Sequence, residues 1–325
     1  MYATCPQGAP IAAKLLTHHK ARNAITREAN VLRQLRHPCI CVFFGVTDIG
    51  GTPTILLEYL AGGTLGEYLK LPPGPCSNSA CSLRQSERGA GEELQRETGV
   101  AVAAREAQEA RAGQPAGSSR AHSREPERTR KLLCFGQQVA SGLSFLHSHD
   151  VIHRDIKASN VLLDAVQAIA KISDFGISHV LSPDGKKKPP PPPPASGPTD
   201  ESGSRSGMST GTLRYAAPES ISTRGQHQPI SVEQLTARDV YSFGLLLFEL
   251  LHERRAFDEF PNIVALARSI EGQRPTIDLP AHLETCAQLI TECWDAQPQR
   301  RPRMEEVCTK LALTSPETQR SKCKV

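Results

Sequence analysis

His153-Arg154-Asp155-Ile156-Lys157-Ala158-Ser159-Asn160, running into the apolar pair Val161-Leu162, is the stretch on which the reading of the fold turns. Lys171-Ile172 follows and leads into Asp174-Phe175-Gly176. Asn160 stands five residues after Asp155, and Asp174 nineteen after it. Gly211-Thr212, Ala217-Pro218-Glu219 and Arg301-Pro302 come later in that order. The first two strings place two carboxylates, an amide and a lysine on loops that border short apolar segments. Phosphoryl transfer asks for such parts: a carboxylate to orient a hydroxyl, carboxylate and amide oxygens for Mg²⁺, and cations for phosphates.

Working outward, the composition changes sharply in two places. Hydrophobic residues make up 38% of the 325 positions. That is enough for a sizeable core, in roughly two domains or in one large domain with insertions. The 25 prolines are about 7.7% of the chain against a usual value near 5%, and they cluster. Residues 72–130 open with Pro72-Pro73-Gly74-Pro75 and carry almost no large apolar side chain beyond Val102. Glu92 to Arg111 favours a helix by its residue types but has no apolar face to bury. Residues 182–209 hold Lys186-Lys187-Lys188 and then six prolines, Pro189 to Pro194, for which polyproline II with flanking disorder is the expectation. Both segments read as insertions.

Three ordered blocks remain. In the first, Ile11-Ala12-Ala13 before Lys14 and Leu15-Leu16 reads as a short buried strand. Ile25, Ala29, Leu32 and Leu35 form a helix face, Val42–Val46 and Thr54–Leu57 read as strands, and Thr64 with Glu67 is a capping box for a helix starting at Leu65. The second opens with a helix from Lys131 whose buried face is Leu132, Phe135, Val139, Leu143 and Leu146. The third, Thr212 to Leu313, reads as mostly helical around the apolar stretch Val240–Leu251.

The charge of +4, from 38 basic and 34 acidic residues, is too balanced to indicate a nucleic-acid binder. No apolar run reaches the roughly 18 residues of a membrane span; Val240–Leu251 is interrupted by Ser242, Gly244 and Glu249. No secretory signal is visible at Met1–Ala13. The ten cysteines form no CxxC pair, which favours reduced thiols and a cytoplasmic setting over a disulfide framework.

Taken singly these motifs are weak: a Lys–Glu pair is ordinarily a solvated surface pair, and Asp-Phe-Gly occurs in ordinary turns. Order and spacing decide. From Met1 to about Leu311, apart from the two insertions, the chain resembles the eukaryotic protein-kinase catalytic domain. The resemblance implies an α+β, two-lobed fold: a small β-rich lobe with the hinge over residues 1–60, a larger mainly helical lobe over 61–313, and a tail over 314–325. It implies ATP and Mg²⁺ as cofactors and protein hydroxyls as acceptors. By resemblance Asp155 is the catalytic base and Lys157 steadies the transferring phosphate, while Asn160 and Asp174 hold Mg²⁺. Lys14 holds the α- and β-phosphates and Glu28 is its partner. Glu58 to Leu60, after Leu57, offer backbone groups to adenine, which Ala12 and Leu162 sandwich. Leu32, Phe43, His153 and Phe175 stack as an apolar spine, Asp239 anchors the catalytic loop, and Glu219 pairs with Arg301.

Lys157 together with Gly211-Thr212 looks like the serine/threonine pattern. Cys293-Trp294, Pro298 and Arg301-Pro302 resemble the ending shared with tyrosine kinases. Together they point to the tyrosine-kinase-like serine/threonine group. Arg154 beside Asp155 is a candidate reader of a phosphate on Ser206, Ser209 or Thr210. One departure stands out. A glycine-rich phosphate-covering loop should precede Ile11, and only Gly8 lies there; Met1-Tyr2-Ala3-Thr4 resembles the strand after that loop. The chain is therefore expected to begin inside the small lobe, and the alternative to a kinase is a catalytically impaired, kinase-like interaction module. Pro189–Pro194 is in addition a candidate ligand for proline-binding domains.

Overall fold

The computed structural model describes residues 2–4, 10–15, 28–71, 125–176, 178–180, 213–222, 231–258 and 260–314. The charged segment Glu92–Arg111, the proline run Pro189–Pro194 and the serines and threonine at 206, 209 and 210 lie outside them.

The amino-terminal part is a four-stranded antiparallel sheet in the order β1-β2-β4-β3. Its strands are β1 (Tyr2–Thr4), β2 (Pro10–Leu15), β3 (Phe43–Ile49) and β4 (Thr52–Glu58). β1 pairs with β2 through Tyr2↔Ala12 and Ala3↔Ile11. β2 pairs with β4 through Ala12↔Leu57 and Lys14↔Ile55. In β2 only Ile11 is buried, and Ala12 to Leu15 are half-buried, so the strand is less enclosed than its apolar sequence predicts. β3 and β4 are longer than the predicted Val42–Val46 and Thr54–Leu57. They run into a tight turn at Gly50 and Gly51, whose φ values of 59° and 78° are the paired positive angles of a two-residue hairpin. Asp48 Oδ1 accepts the Gly51 N–H at 2.7 Å. A helical turn at residues 28–32 buries Ala29 and Leu32; Leu35 is also buried, though it lies past the helix end.

Helix α1 (Leu65–Tyr68) begins where the capping box predicts: Thr64 Oγ1 accepts the Glu67 N–H, and the Glu67 carboxylate accepts the Thr64 N–H. Helix α2 (Glu125–Ser148) opens six residues ahead of Lys131 and so takes in residues that the composition assigned to an insertion. Pro126 sits in its first turn, where a missing N–H costs no hydrogen bond. Its expected face, Leu132, Phe135, Val139, Leu143 and Leu146, is buried.

β5 (Val151–Ile152) pairs with β8 (His179–Val180), and β6 (Val161–Leu163) with β7 (Ala170–Ile172). Helices α3 (Glu219–Ser222), α4 (Val232–His252), α5 (Asn262–Ile270), α6 (Glu284–Cys293) and α7 (Met304–Leu313) complete the larger part. From Asp239 to Leu250 α4 is buried on every side, the pattern of a helix inside a large core. It stops at Glu253, whose φ is 50°. A single hydrophobic cluster joins Leu32, Ile40, Phe43 and Ile55 of the small lobe to Leu143, Phe175, Phe243 and Leu289 of the large one. The fold is the α+β, two-lobed arrangement of a protein kinase, with small antiparallel sheet and helical lobe as expected.

Candidate active site

Lys14 lies on β2, and its Nζ donates to Glu28 Oε1 and to Asp174 Oδ1, each at 2.8 Å. Glu28 is only 2% exposed, so its charge is held in place by the lysine. Burial alone would lower the Lys14 pKa, but the two carboxylates outweigh it and raise it. Burial raises the Glu28 carboxyl, and Lys14 offsets only part of that rise. Burial opposes ionisation of Asp174 too, yet Lys14, with Lys157, holds its carboxyl below the usual range. Asp174 has φ 63°, a left-handed backbone that a non-glycine residue keeps only when its surroundings fix it.

The loop between β5 and β6 presents Asp155, Lys157 and Asn160. Asp155 Oδ2 accepts from Lys157 Nζ and from Asn160 Nδ2, both at 2.8 Å. Asn160 Nδ2 also donates to the Asp155 carbonyl at 2.8 Å. Beneath the loop, buried Asp239 accepts the His153 N–H at 2.8 Å, the Arg154 N–H at 2.7 Å and His147 Nε2–H at 3.1 Å. Burial would raise the Asp239 carboxyl; the bond from His147 and the further donors around it hold it low. His153 accepts the Asp155 N–H at Nδ1 (3.3 Å) and donates from Nε2 to the Ser173 carbonyl (3.0 Å). These two contacts select the neutral Nε2–H tautomer. Its ring meets Phe175 edge-on at 5.0 Å, and Leu32 and Phe43 are buried in the same core as Phe175. Arg301 forks onto Glu219 at 2.8 and 2.9 Å.

At the other end of the cleft Ala12 pairs with Leu57 across β2 and β4, and Leu162 on β6 is bridged to Thr64. The Glu58 N–H is spent on the Val42 carbonyl at 2.8 Å, whereas Leu60 makes no backbone hydrogen bond among the described residues. Of the two expected backbone groups, the Glu58 N–H is thus already taken and the Leu60 backbone is without a backbone partner among the described residues.

The donor set fits a magnesium nucleotide. Asn160 uses its amide nitrogen twice, which leaves its Oδ1 for a cation; Asp174 spends Oδ1 on Lys14 and keeps Oδ2. Mg²⁺ takes oxygen ligands and is commonly held by one or two carboxylates plus phosphates and water.

Two contacts of enclosed carboxylates stand out among those not anticipated from the sequence. Lys171 Nζ donates to both oxygens of Glu58, at 2.7 and 2.8 Å. Buried Glu249 accepts the Tyr215 hydroxyl at 2.5 Å and the Ala256 N–H at 3.2 Å, and burial pushes its carboxyl up to about 7. The available signal was a charge inside an apolar run, which must find a partner when it is buried.

Comparison with known proteins agrees with this geometry. A family model described as protein tyrosine and serine/threonine kinase matches residues 4–311. A putative serine/threonine-protein kinase/receptor of Acanthamoeba polyphaga mimivirus is 26% identical over 320 residues, covering 96% of this chain and 15% of that protein. The probable serine/threonine-protein kinase gdt4 of Dictyostelium discoideum is 26% identical over 94% of this chain and 14% of its own length. Serine/threonine-protein kinase VIK of Arabidopsis thaliana is 24% identical over 94% of this chain and 55% of its own length. The chain thus spans from about a seventh to just over half of these relatives. From its match across both lobes and the groups gathered between them, the chain belongs to the protein tyrosine and serine/threonine kinase family.

Proposed function

We propose that the chain transfers the terminal phosphoryl group of ATP, with Mg²⁺, to serine or threonine hydroxyls of protein substrates. The observation that carries this reading is Lys14 Nζ bridging Glu28 and Asp174 at 2.8 Å each, beside an Asp155 already oriented by Lys157 and Asn160.

When bound, Mg·ATP supplies the phosphoryl group and the divalent charge that neutralises it. Asn160 Oδ1 and Asp174 Oδ2 are the oxygens this chain offers to the metal. Lys14, kept charged by its two carboxylates, is the cation for the α- and β-phosphates. Leu60 offers its backbone to the adenine edge, and Ala12 and Leu162 offer apolar faces. Asp155 receives the acceptor hydroxyl and its proton. Lys157 Nζ, bonded to Asp155, stands where negative charge gathers as the phosphoryl group moves and is worth most in a site with little water. The three relatives described above are all named as serine/threonine-protein kinases, which supports the same acceptor.

Asp155→Asn keeps the shape and removes the base, and is expected to lower kcat about 10²–10⁴-fold. Radiolabel transfer to a serine/threonine peptide library is the measurement. Transfer by this variant at the wild-type rate, or transfer confined to tyrosine, overturns the reading.

A further inference from the structure

Ser173 stands immediately before Asp174 and beside Asn160, the two residues whose side chains offer oxygens to a metal. It is buried, and its N–H, hydroxyl and carbonyl are all bonded. The N–H donates to the Asn160 carbonyl at 2.9 Å. The hydroxyl donates to that same carbonyl, also at 2.9 Å. The Ser173 carbonyl accepts from His153 Nε2 at 3.0 Å. The N–H bond continues the β6–β7 ladder past the Val161↔Ile172 pair, and any residue except proline could make it. The hydroxyl bond depends on this side chain.

That bond acts on both of its neighbours. Asn160 is buried, and its amide nitrogen is spent on the Asp155 carbonyl and on Asp155 Oδ2, both at 2.8 Å. Its side chain is thus fixed by one segment and its backbone carbonyl by another, which leaves Oδ1 a single setting. Asp174 keeps its φ of 63°, a backbone that persists only where the surroundings hold it. Ahead of that turn Lys14 holds Asp174 Oδ1 at 2.8 Å. Behind it the hold is Ser173.

We propose that Ser173 is a positioning residue for Mg²⁺: its hydroxyl pins the residue before Asp174 to the backbone of Asn160, and so keeps Asp174 Oδ2 and Asn160 Oδ1 in one fixed relation. Its metal role rests on the phosphotransfer reading above, to which it adds a side chain that reading does not use. Groups that hold a metal's ligands in place bear on affinity almost as the ligands do. Mg²⁺ demands near-ideal octahedral geometry, whereas Ca²⁺ accepts a flexible one. Loosened ligands therefore penalise Mg²⁺ more than Ca²⁺. A general loss of stability would weaken both alike. Ser173→Ala removes one oxygen and leaves the ladder bond to Asn160, so the fold is expected to persist.

The test uses the full chain and reads binding and hydrogen exchange rather than turnover. ATP is titrated calorimetrically into the protein without divalent cation, with Mg²⁺ and with Ca²⁺. Ser173→Ala is expected to weaken binding in Mg²⁺ about tenfold, the low end for a lost partner of a metal ligand. Binding in Ca²⁺ and without divalent cation is expected to change less than about twofold, because neither depends on exact ligand placement. Ser173→Thr keeps the hydroxyl and is expected to keep the Mg²⁺ preference. In the nucleotide-free protein, protection of the residue 173 amide is expected to fall about threefold or more in Ser173→Ala, since exchange reports local opening. Equal weakening in Mg²⁺ and Ca²⁺, or Mg²⁺-dependent binding that Ser173→Ala leaves unchanged, overturns the proposal alone. Wild-type binding of ATP that ignores Mg²⁺ overturns the phosphotransfer reading and takes the metal role of Ser173 with it. Unchanged protection at residue 173 overturns the anchoring on which that role depends.

Discussion

Asp239 shows how much one buried carboxylate can organise. It satisfies two consecutive backbone N–H groups, those of His153 and Arg154, and binds His147 as well. The Arg154 backbone sits at φ 71°, and the pair of bonds is what holds that turn. Removing the acceptor leaves two donors without partners beside the candidate catalytic loop. Asp239→Ala is therefore expected to cost about 3–5 kcal/mol, read as a lower urea midpoint with little change in the slope. The loop should lose its set as well, so kcat falls even in the fraction that stays folded. Asp239→Asn turns an NH₂ toward one of those N–H donors and recovers only part of the loss. The sign of the pH dependence follows from the depressed carboxyl. Its stabilisation is present above the unfolded pKa, near 4, and is lost as pH falls through the lower folded value.

At the scale of elements, the turn before α1 shows why a glycine stands where it does. The Gly62 N–H donates to the Leu163 carbonyl and the Leu163 N–H to the Gly63 carbonyl, which stitches the turn to β6. A Cβ on Gly62 would lie 2.1 Å from the Asp164 carbonyl oxygen, well inside contact distance. Gly62→Ala is expected to pry β6 from the turn and displace Leu162. Thr64→Ala, which removes only the cap, is expected to cost about 1 kcal/mol. Paired thermal melts check this: Thr64→Ala should lower Tm by about 2–4 °C, and Gly62→Ala by clearly more. The capping box and the α2 face could be read from local spacing, because caps and amphipathic faces are short-range patterns. The β3–β4 hairpin was under-read: Gly50-Gly51 announced the turn, but Thr47, Asp48 and Thr52 diluted the apolar runs that flank it. The start of α2 was hidden because its first turns carry the same charged residue types as the segment before them.

For the whole molecule, pairings between distant residues decide what sequence can reveal. The candidate catalytic groups were legible because their spacing is short and ordered: Asp155, Lys157 and Asn160 sit on one loop, and Asp174 is one hairpin away. Lys171 and Glu58 lie 113 positions apart, and neither carries a local mark of the other. Glu249 was read only as an interruption of an apolar stretch, although a carboxyl there has to be neutral or paired. That burial has a global consequence. With its folded value raised to about 7 and an unfolded value near 4.3, the native state binds more protons than the unfolded chain between those limits. Stability is then highest below the unfolded value and declines as pH rises toward neutrality. Urea midpoints measured across that window should slope downward for the wild type and flatten for Glu249→Gln. Equal slopes would mean that the Tyr215 hydroxyl and the Ala256 N–H already offset the burial. No helix among the described residues is long and apolar enough to cross a membrane. The burial of α4 is supplied by the rest of the protein.

That last feature bears on how the chain is made. α4 has no solvated face from Asp239 to Leu250, and one of its walls is α6, which Gly244 admits so closely that a Cβ there would lie 2.8 Å from Cys293. During synthesis Cys293 leaves the ribosome about forty residues after His252, which at roughly 5–20 residues per second is a wait of about 2–8 seconds. Through that interval a helix-length strip of Leu, Phe and Val stands bare beside α2. α4 is thus the segment of the nascent chain that a holding chaperone would grip, and slow translation between residues 253 and 293 would lengthen its exposure to aggregation.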